Sequence, residues 1–174
     1  MDSNNTDITD QLAAFKNKYK EQKSSLFSLK STRNMERAKE IISNISIEKL
    51  LSKTIFNVEN TNKIYMDYPN FKLFVTPEIY DVMLEYVEKL LHNCVNTYGS
   101  VELHANLNTF SITAANRYKD LIQRFCKQFF QSDSKYNNEI TKIYLHNYPK
   151  IIPILNSLFS GFVDDKSYDK LVLV

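Results

Sequence analysis

A chain of 174 residues is long enough for one ordinary domain with an extension and too short for a second full core. Its 43% hydrophobic and 24% charged content is that of a globular protein, with eleven Phe and eleven Tyr as bulky core material. Two glycines rule out a glycine-rich phosphate loop, and a formal charge of +2 with only four arginines (Arg33, Arg37, Arg117, Arg124) argues against a dense basic nucleic-acid footprint.

The predicted elements begin with a helix from Asp7 or Asp10 to about Lys23, with Leu12, Phe15 and Tyr19 on one side. The serine-rich stretch Ser24–Thr32 reads as a connector. A helix over about Asn34–Ser43 and a short one near Ile47–Leu51 follow. Residues 1–53 hold ten Lys/Arg against seven Asp/Glu, an excess read as a solvated helical face. Asn57, Asn60 and Asn62 crowd a loop taken as the boundary between an N-terminal helical arm, 1–57, and an α/β domain, 58–174.

Beyond that loop the pattern becomes regular. Phe71–Val75 reads as a strand with Lys63–Asp67 as an antiparallel neighbour. Thr76-Pro77 is a helix start, because a hydroxyl can cap free amides and proline suits the first helical position. Ile79, Val82, Met83, Tyr86, Val87, Leu90 and Leu91 then recur at helical spacing until Asn96–Gly99. Val101–Ala105 is the next strand, and a helix from about Thr113 aligns Tyr118, Leu121, Ile122, Phe125, Cys126, Phe129 and Phe130. Glu139–Leu145 is a strand, Pro149 opens a helix ending near Gly161, and Leu171–Val174 closes as a strand. The reading is α/β, βαβαβαβ, a mostly parallel sheet with right-handed crossover helices behind a helical arm.

Candidate chemistry is sparse. His92 ends a helix, His104 shares a strand face with Glu102, and His146 stands beside the Asn147-Tyr148-Pro149 step. No His-x-x-x-His, Cys-x-x-Cys or His-Glu-x-x-His spacing is present, so structural roles are preferred and no metal or cofactor is expected. Glu102 and His104 could form an acid–base pair, but no third group or oxyanion donor joins them. Cys126 sits on an apolar stripe and Cys94 near a helix end, neither with an activator. With no signal peptide read before them and no apolar run of ~20 residues, a reduced, cytoplasmic setting is expected. The abundance of Asn, Lys, Ile and Tyr fits an AT-rich genome, such as a parasite or a large DNA virus, whose protein would act in host cytoplasm or the virion.

Two strand-end segments are the candidate ligand contacts, since parallel sheets bind ligands beyond the carboxyl ends of their strands. One is Asn147, Tyr148 and Pro149; the other runs from His104 through Asn106 and Asn108, with Ser111 or Thr113 able to cap the next helix. Turn formation is the preferred reading of Asn147-Tyr148-Pro149, since asparagine starts turns and proline presets the first helical residue. Tyr65, Tyr68, Phe71 and Phe74 crowd one segment, for which core filling is preferred to lining a lipid pocket or a partner surface.

Val101–Asn108 followed by Tyr118–Phe130, then Ile140–Pro149, then Phe162–Val172 led by Lys170, together resemble the CRAL-TRIO lipid-binding family. The resemblance covers residues 101–174 and implies a lipid pocket or, as in truncated members, a protein-binding module. The STAS domain, a regulatory module with similar alternation, is the alternative resemblance. The expectation is a non-catalytic binding module with a protein partner or a hydrophobic ligand, no nucleic acid, no membrane span and self-association open. A structural or assembly protein docking through the helical arm, as in a virion or scaffold, is the alternative, and a cryptic enzyme using Glu102 and His104 is the third reading.

Overall fold

The computed structural model describes residues 7–21, 30–131, 133–148 and 168–174. Three helices come first: α1 (Ile8–Glu21), α2 (Lys30–Asn44) and α3 (Ile47–Ser52). Asp7 starts α1, its carboxylate accepting from the Thr9 amide and hydroxyl. Ala38 and Ile41 form the buried stripe of α2, and Ile45, just past its end, continues it at offsets of three and four. Ser46 caps α3 by accepting from the Lys49 amide. The expected connector overlaps α2 from Lys30 onward, and its preceding residues lie outside those described.

A hairpin follows. Strand β1 (Ile55–Asn57) pairs antiparallel with β2 (Lys63–Asp67), and Asn60 takes a left-handed turn conformation at φ 58°. The expected boundary at 57/58 falls where this hairpin begins its turn, and Leu12, Ile41, Leu50 and Leu51 of the helical segment share one core with the sheet.

The expected strand at Phe71–Val75 is a helix instead, α4 (Tyr68–Phe74). Asp67 caps it through the Asn70 amide, and Pro69 stands in its first turn, where a missing N–H costs nothing. Arg37 of α2 closes the other end, donating to the carbonyls of Lys72 (2.7 Å) and Leu73 (3.3 Å). Consequently β2 has β1, not residues 71–75, as its antiparallel neighbour.

A 3-10 turn at Pro77–Ile79 leads into α5 (Tyr80–Tyr98), and the Thr76 side chain makes no capping bond. The buried face of α5 is Tyr80, Met83, Leu84, Val87, Leu91 and Cys94, while Val82 of the expected stripe is exposed. His92 lies within the helix, not at its end, and hydrogen-bonds Asn96. Strand β3 (Val101–Asn106) comes next, then α6 (Ile112–Arg117), capped by Ser111, and α7 (Lys119–Phe129), separated at Tyr118. Strand β4 (Ile140–His146) and strand β5 (Leu171–Leu173) complete the sheet. Lys170 ties the start of β5 to the Asn137 side chain and carbonyl. The expected helix from Pro149 to Gly161 and residues 162–167 lie outside the described residues.

The five strands lie in the order β1-β2-β3-β4-β5, parallel from β2 onward, so the expected α/β class with a mostly parallel sheet holds. Among the described residues no helix is long and apolar enough to cross a membrane.

Candidate functional site

Strand alternation divides the sheet's side chains between two faces. Ile64 and Met66 of β2 pair with Leu103 and Ala105 of β3, which pair with Ile143 and Leu145 of β4, and Ile143 pairs with Leu171 of β5. These apolar residues face α4, α5 and α7. Lys63, Tyr65 and Asp67 pair with Glu102, His104 and Asn106, which pair with Lys142, Tyr144 and His146, on the opposite face.

The expected ligand contacts fall into two groups on that polar face. Asn106, the last residue of β3, is the centre of the first. Its side-chain amide donates to Asp67 Oδ1 at 2.8 Å, while its Oδ1 accepts from the Asn108 amide at 3.1 Å and from Asn147 Nδ2 at 3.0 Å. The tips of β2, β3 and β4 are thereby stitched together, and these polar groups are occupied with one another. Asn147 holds φ at 52° and Thr109 at 66°, and the Thr109 hydroxyl accepts from Lys72 Nζ at 2.6 Å. Tyr148 is half-buried against the core edge, and Pro149 lies outside the described residues.

His104 forms the second group with a residue not expected beside it. Its Nδ1 lies 3.0 Å from His146 Nε2, its Nε2 lies 3.5 Å from Glu102 Oε2, and its ring stacks on Tyr144 at 4.5 Å between centroids. Burial lowers its pKa below the ordinary 6.5; the Glu102 carboxylate opposes this, and His146 and Lys63 reinforce it. Glu102 and His104 thus do approach one another, but on the face of the sheet and not at its carboxyl tips. Both nitrogens of His104 are turned toward neighbouring side chains.

The cysteines are unsuited to nucleophilic attack. Both are buried and unbridged, and burial pushes the Cys126 thiol up to about 12 and raises that of Cys94.

The apolar face carries a feature that sequence reasoning did not assemble. Between β2–β5 and the helices lies a cavity of about 230 Å³. Leu103, Ala105, Ile143 and Leu145 form its floor, with Met83 and Val87 of α5 and Phe125 of α7 among its walls. At one end the ring of Tyr68 meets Phe110 edge-on at 4.9 Å, and Phe71 meets Tyr118 at 5.2 Å. Tyr68 and Phe71, placed by sequence in an aromatic cluster, do line this pocket; Phe74 is wholly buried in the core. The alternation Val101-Glu-Leu-His-Ala105 was the available signal for the floor, whereas the opposing walls come from helices whose docking no local pattern specifies.

No family model matches the chain, and no curated protein is similar to it in sequence. Among solved structures, the crystal structure of Sfh5 resembles it with a TM-score of 0.52 and 15% identity, covering 94% of this chain and 67% of Sfh5. Sfh5 is a Sec14-like protein of the CRAL-TRIO family, and the chain's fold is similar to that of this family.

Proposed function

We propose that the chain is a non-catalytic binding module that holds an apolar ligand between its sheet and helices. The cavity above Leu103, Ala105 and Ile143 carries this reading. Its walls are aliphatic and aromatic, so transfer of apolar surface from water is the force available to a ligand there. The likeness of fold to a Sec14-like protein supports the same reading. A non-catalytic role is supported by how the candidate chemistry is used: Asn106 stitches strand tips, His104 is held by His146 and Tyr144, and both thiols are buried. Among the described residues the exposed large hydrophobics, Met35, Phe56, Val82, Tyr98, Ile112, Leu173 and Val174, are spread over α2, β1, α5, α6 and the end of β5, and such scattered apolar residues are ordinary on a surface. The cavity, not the outer surface, therefore supports the function.

The test is organic extraction and mass spectrometry of protein purified without detergent, with titration of the neutral dye N-phenyl-1-naphthylamine. One apolar molecule per chain, or saturable dye binding displaced by the extract, is expected. An extract free of apolar molecules together with non-saturable dye fluorescence would end the reading.

A further inference from the structure

We infer that the ligand is a compact, uncharged molecule with one apolar body, the size of a medium-chain alcohol or a small terpenoid, and that Ala105 sets how much of it fits. The inference rests on the apolar-ligand reading above and goes beyond it in naming size and charge.

Volume gives the first argument. Pockets for drug-sized ligands run from about 300 to 1,000 Å³, and an engineered apolar cavity of about 150 Å³ suffices for benzene. The present cavity, at about 230 Å³, lies between them. The space bounded by the described residues suits one short chain better than a lipid with two long ones.

The wall chemistry gives the second. Among the described lining residues there is no Lys, Arg, Asp or Glu, and His104, which borders the cavity from β3, has its ring on the opposite face of the sheet against Tyr144 and His146. Phe110, Ile122 and Leu171, half-buried residues of the lining, are apolar too. Lys63 and Glu102 belong to the other face of the sheet, Arg124 pairs with Asp81, Arg37 donates to the carbonyls of Lys72 and Leu73, and Arg117 interacts with the Tyr118 hydroxyl. An ionised carboxylate or phosphate would give up its hydration for a wall that offers it no partner. The tyrosines that contribute rings, Tyr68 and Tyr118, are held in their neutral form by burial.

Ala105 lies in the central strand, between Met66 and Leu145 in register. Its methyl is the smallest side chain on the floor, so each carbon added there takes space from the ligand directly.

The experiment uses the full chain and displacement of N-phenyl-1-naphthylamine by 1-octanol or by octanoate at about pH 8, where a carboxylate is ionised. A third arm mixes the protein with phosphatidylcholine vesicles, separates them by gel filtration and assays protein-bound phosphorus. Octanol should displace the dye saturably, octanoate should be at least ~10-fold weaker, and no phosphorus should follow the protein. Ala105→Leu should weaken octanol by at least ~10-fold while retaining the unfolding temperature, and Ala105→Val should fall between. Octanoate as effective as octanol overturns the charge claim, and one phospholipid per chain overturns the size claim; either leaves the apolar-ligand reading standing. Unchanged octanol affinity in both Ala105 variants overturns the assignment to this cavity. Failure of the wild-type chain to bind dye or octanol overturns the inference together with the reading beneath it.

Discussion

His104 and His146, 42 residues apart in sequence, place Nδ1 and Nε2 3.0 Å apart across strands β3 and β4. One nitrogen of such a pair must carry the proton and the other accept it, so the contact requires that the two rings are not both protonated. Burial lowers the pKa of His104 below 6.5, partly offset by Glu102 and reinforced by His146 and Lys63.

The sign of the resulting pH dependence follows from linkage. As pH falls, the unfolded chain protonates this imidazole first, near its ordinary value, and the native state protonates it later. Within that window the unfolded state holds more protons, so stability rises with pH. His104 therefore contributes stability that is present above about pH 6.5 and lost as pH falls through the native value. His104→Phe keeps an aromatic ring against Tyr144 and removes the titration. In urea unfolding between about pH 7.5 and about pH 5, the wild type should lose more stability than the variant. Parallel curves would show that the histidine pair does not couple to folding.

The strand-tip clamp makes a separate prediction. Asn106→Ala removes the bonds to Asp67, the Asn108 amide and Asn147 together. Because Asn106 is only part-buried, water replaces some of what is lost, and the cost should be about 1–2 kcal/mol in urea unfolding. Asn106→Asp sets a second carboxylate against Asp67 Oδ1. Like charges raise one native carboxyl pKa, so this variant's extra deficit relative to Asn106→Ala should be present at neutral pH and shrink on acidification toward about pH 4. A constant difference between the two variants would mean that residue 106 points away from Asp67.

Much of the architecture was legible because its periodicities are long: α5 extends for 19 residues, and β3 alternates cleanly. Phe71–Val75 misled because its apolar run is short. Packed between α2 and the sheet, α4 buries Tyr68, Phe71, Leu73 and Phe74, and a helix apolar on several sides loses the stripe that distinguishes it from a strand. Asp67-Tyr68-Pro69 was the overlooked signal, a capping residue followed by a first-turn proline. The histidine pair was not legible at all. It depends on a register shift at Val101/Glu102, which aligns Glu102, His104 and Asn106 with Lys142, Tyr144 and His146. The cavity was hidden for a related reason: it depends on how far α5 and α7 stand from the sheet.

Cys94 and Cys126 offer an internal reporter of opening. Each is 1% exposed, and burial disfavours the thiolate that would attack a disulfide reagent. Native protein should react with 5,5′-dithiobis(2-nitrobenzoate) at least ~1,000-fold more slowly than protein in urea, because reaction waits on opening of the core. Unfolding should then expose both thiols. Reaction of native Cys94 within mixing time would mean that the C-terminal part of α5 is detached from the sheet.

Gly99 isolates a backbone effect from packing. It follows α5 at φ +74°, donating its amide to the Val95 carbonyl, in a conformation that costs an L-residue about 1 kcal/mol. A Cβ built there meets no atom within 4 Å, so alanine adds neither a clash nor a contact. Gly99→Ala should therefore destabilise by about 1 kcal/mol, and Gly99→Asn by less, since asparagine tolerates the left-handed region. Urea unfolding with unchanged denaturant dependence would place that cost in the helix end alone. Alanine equal to glycine would mean that the helix ends without this left-handed turn, and asparagine worse than alanine would mean that residue 99 packs against something. Gly99 does not line the ligand cavity, which α5 walls with Met83 and Val87, so dye affinity should be the same in all three proteins.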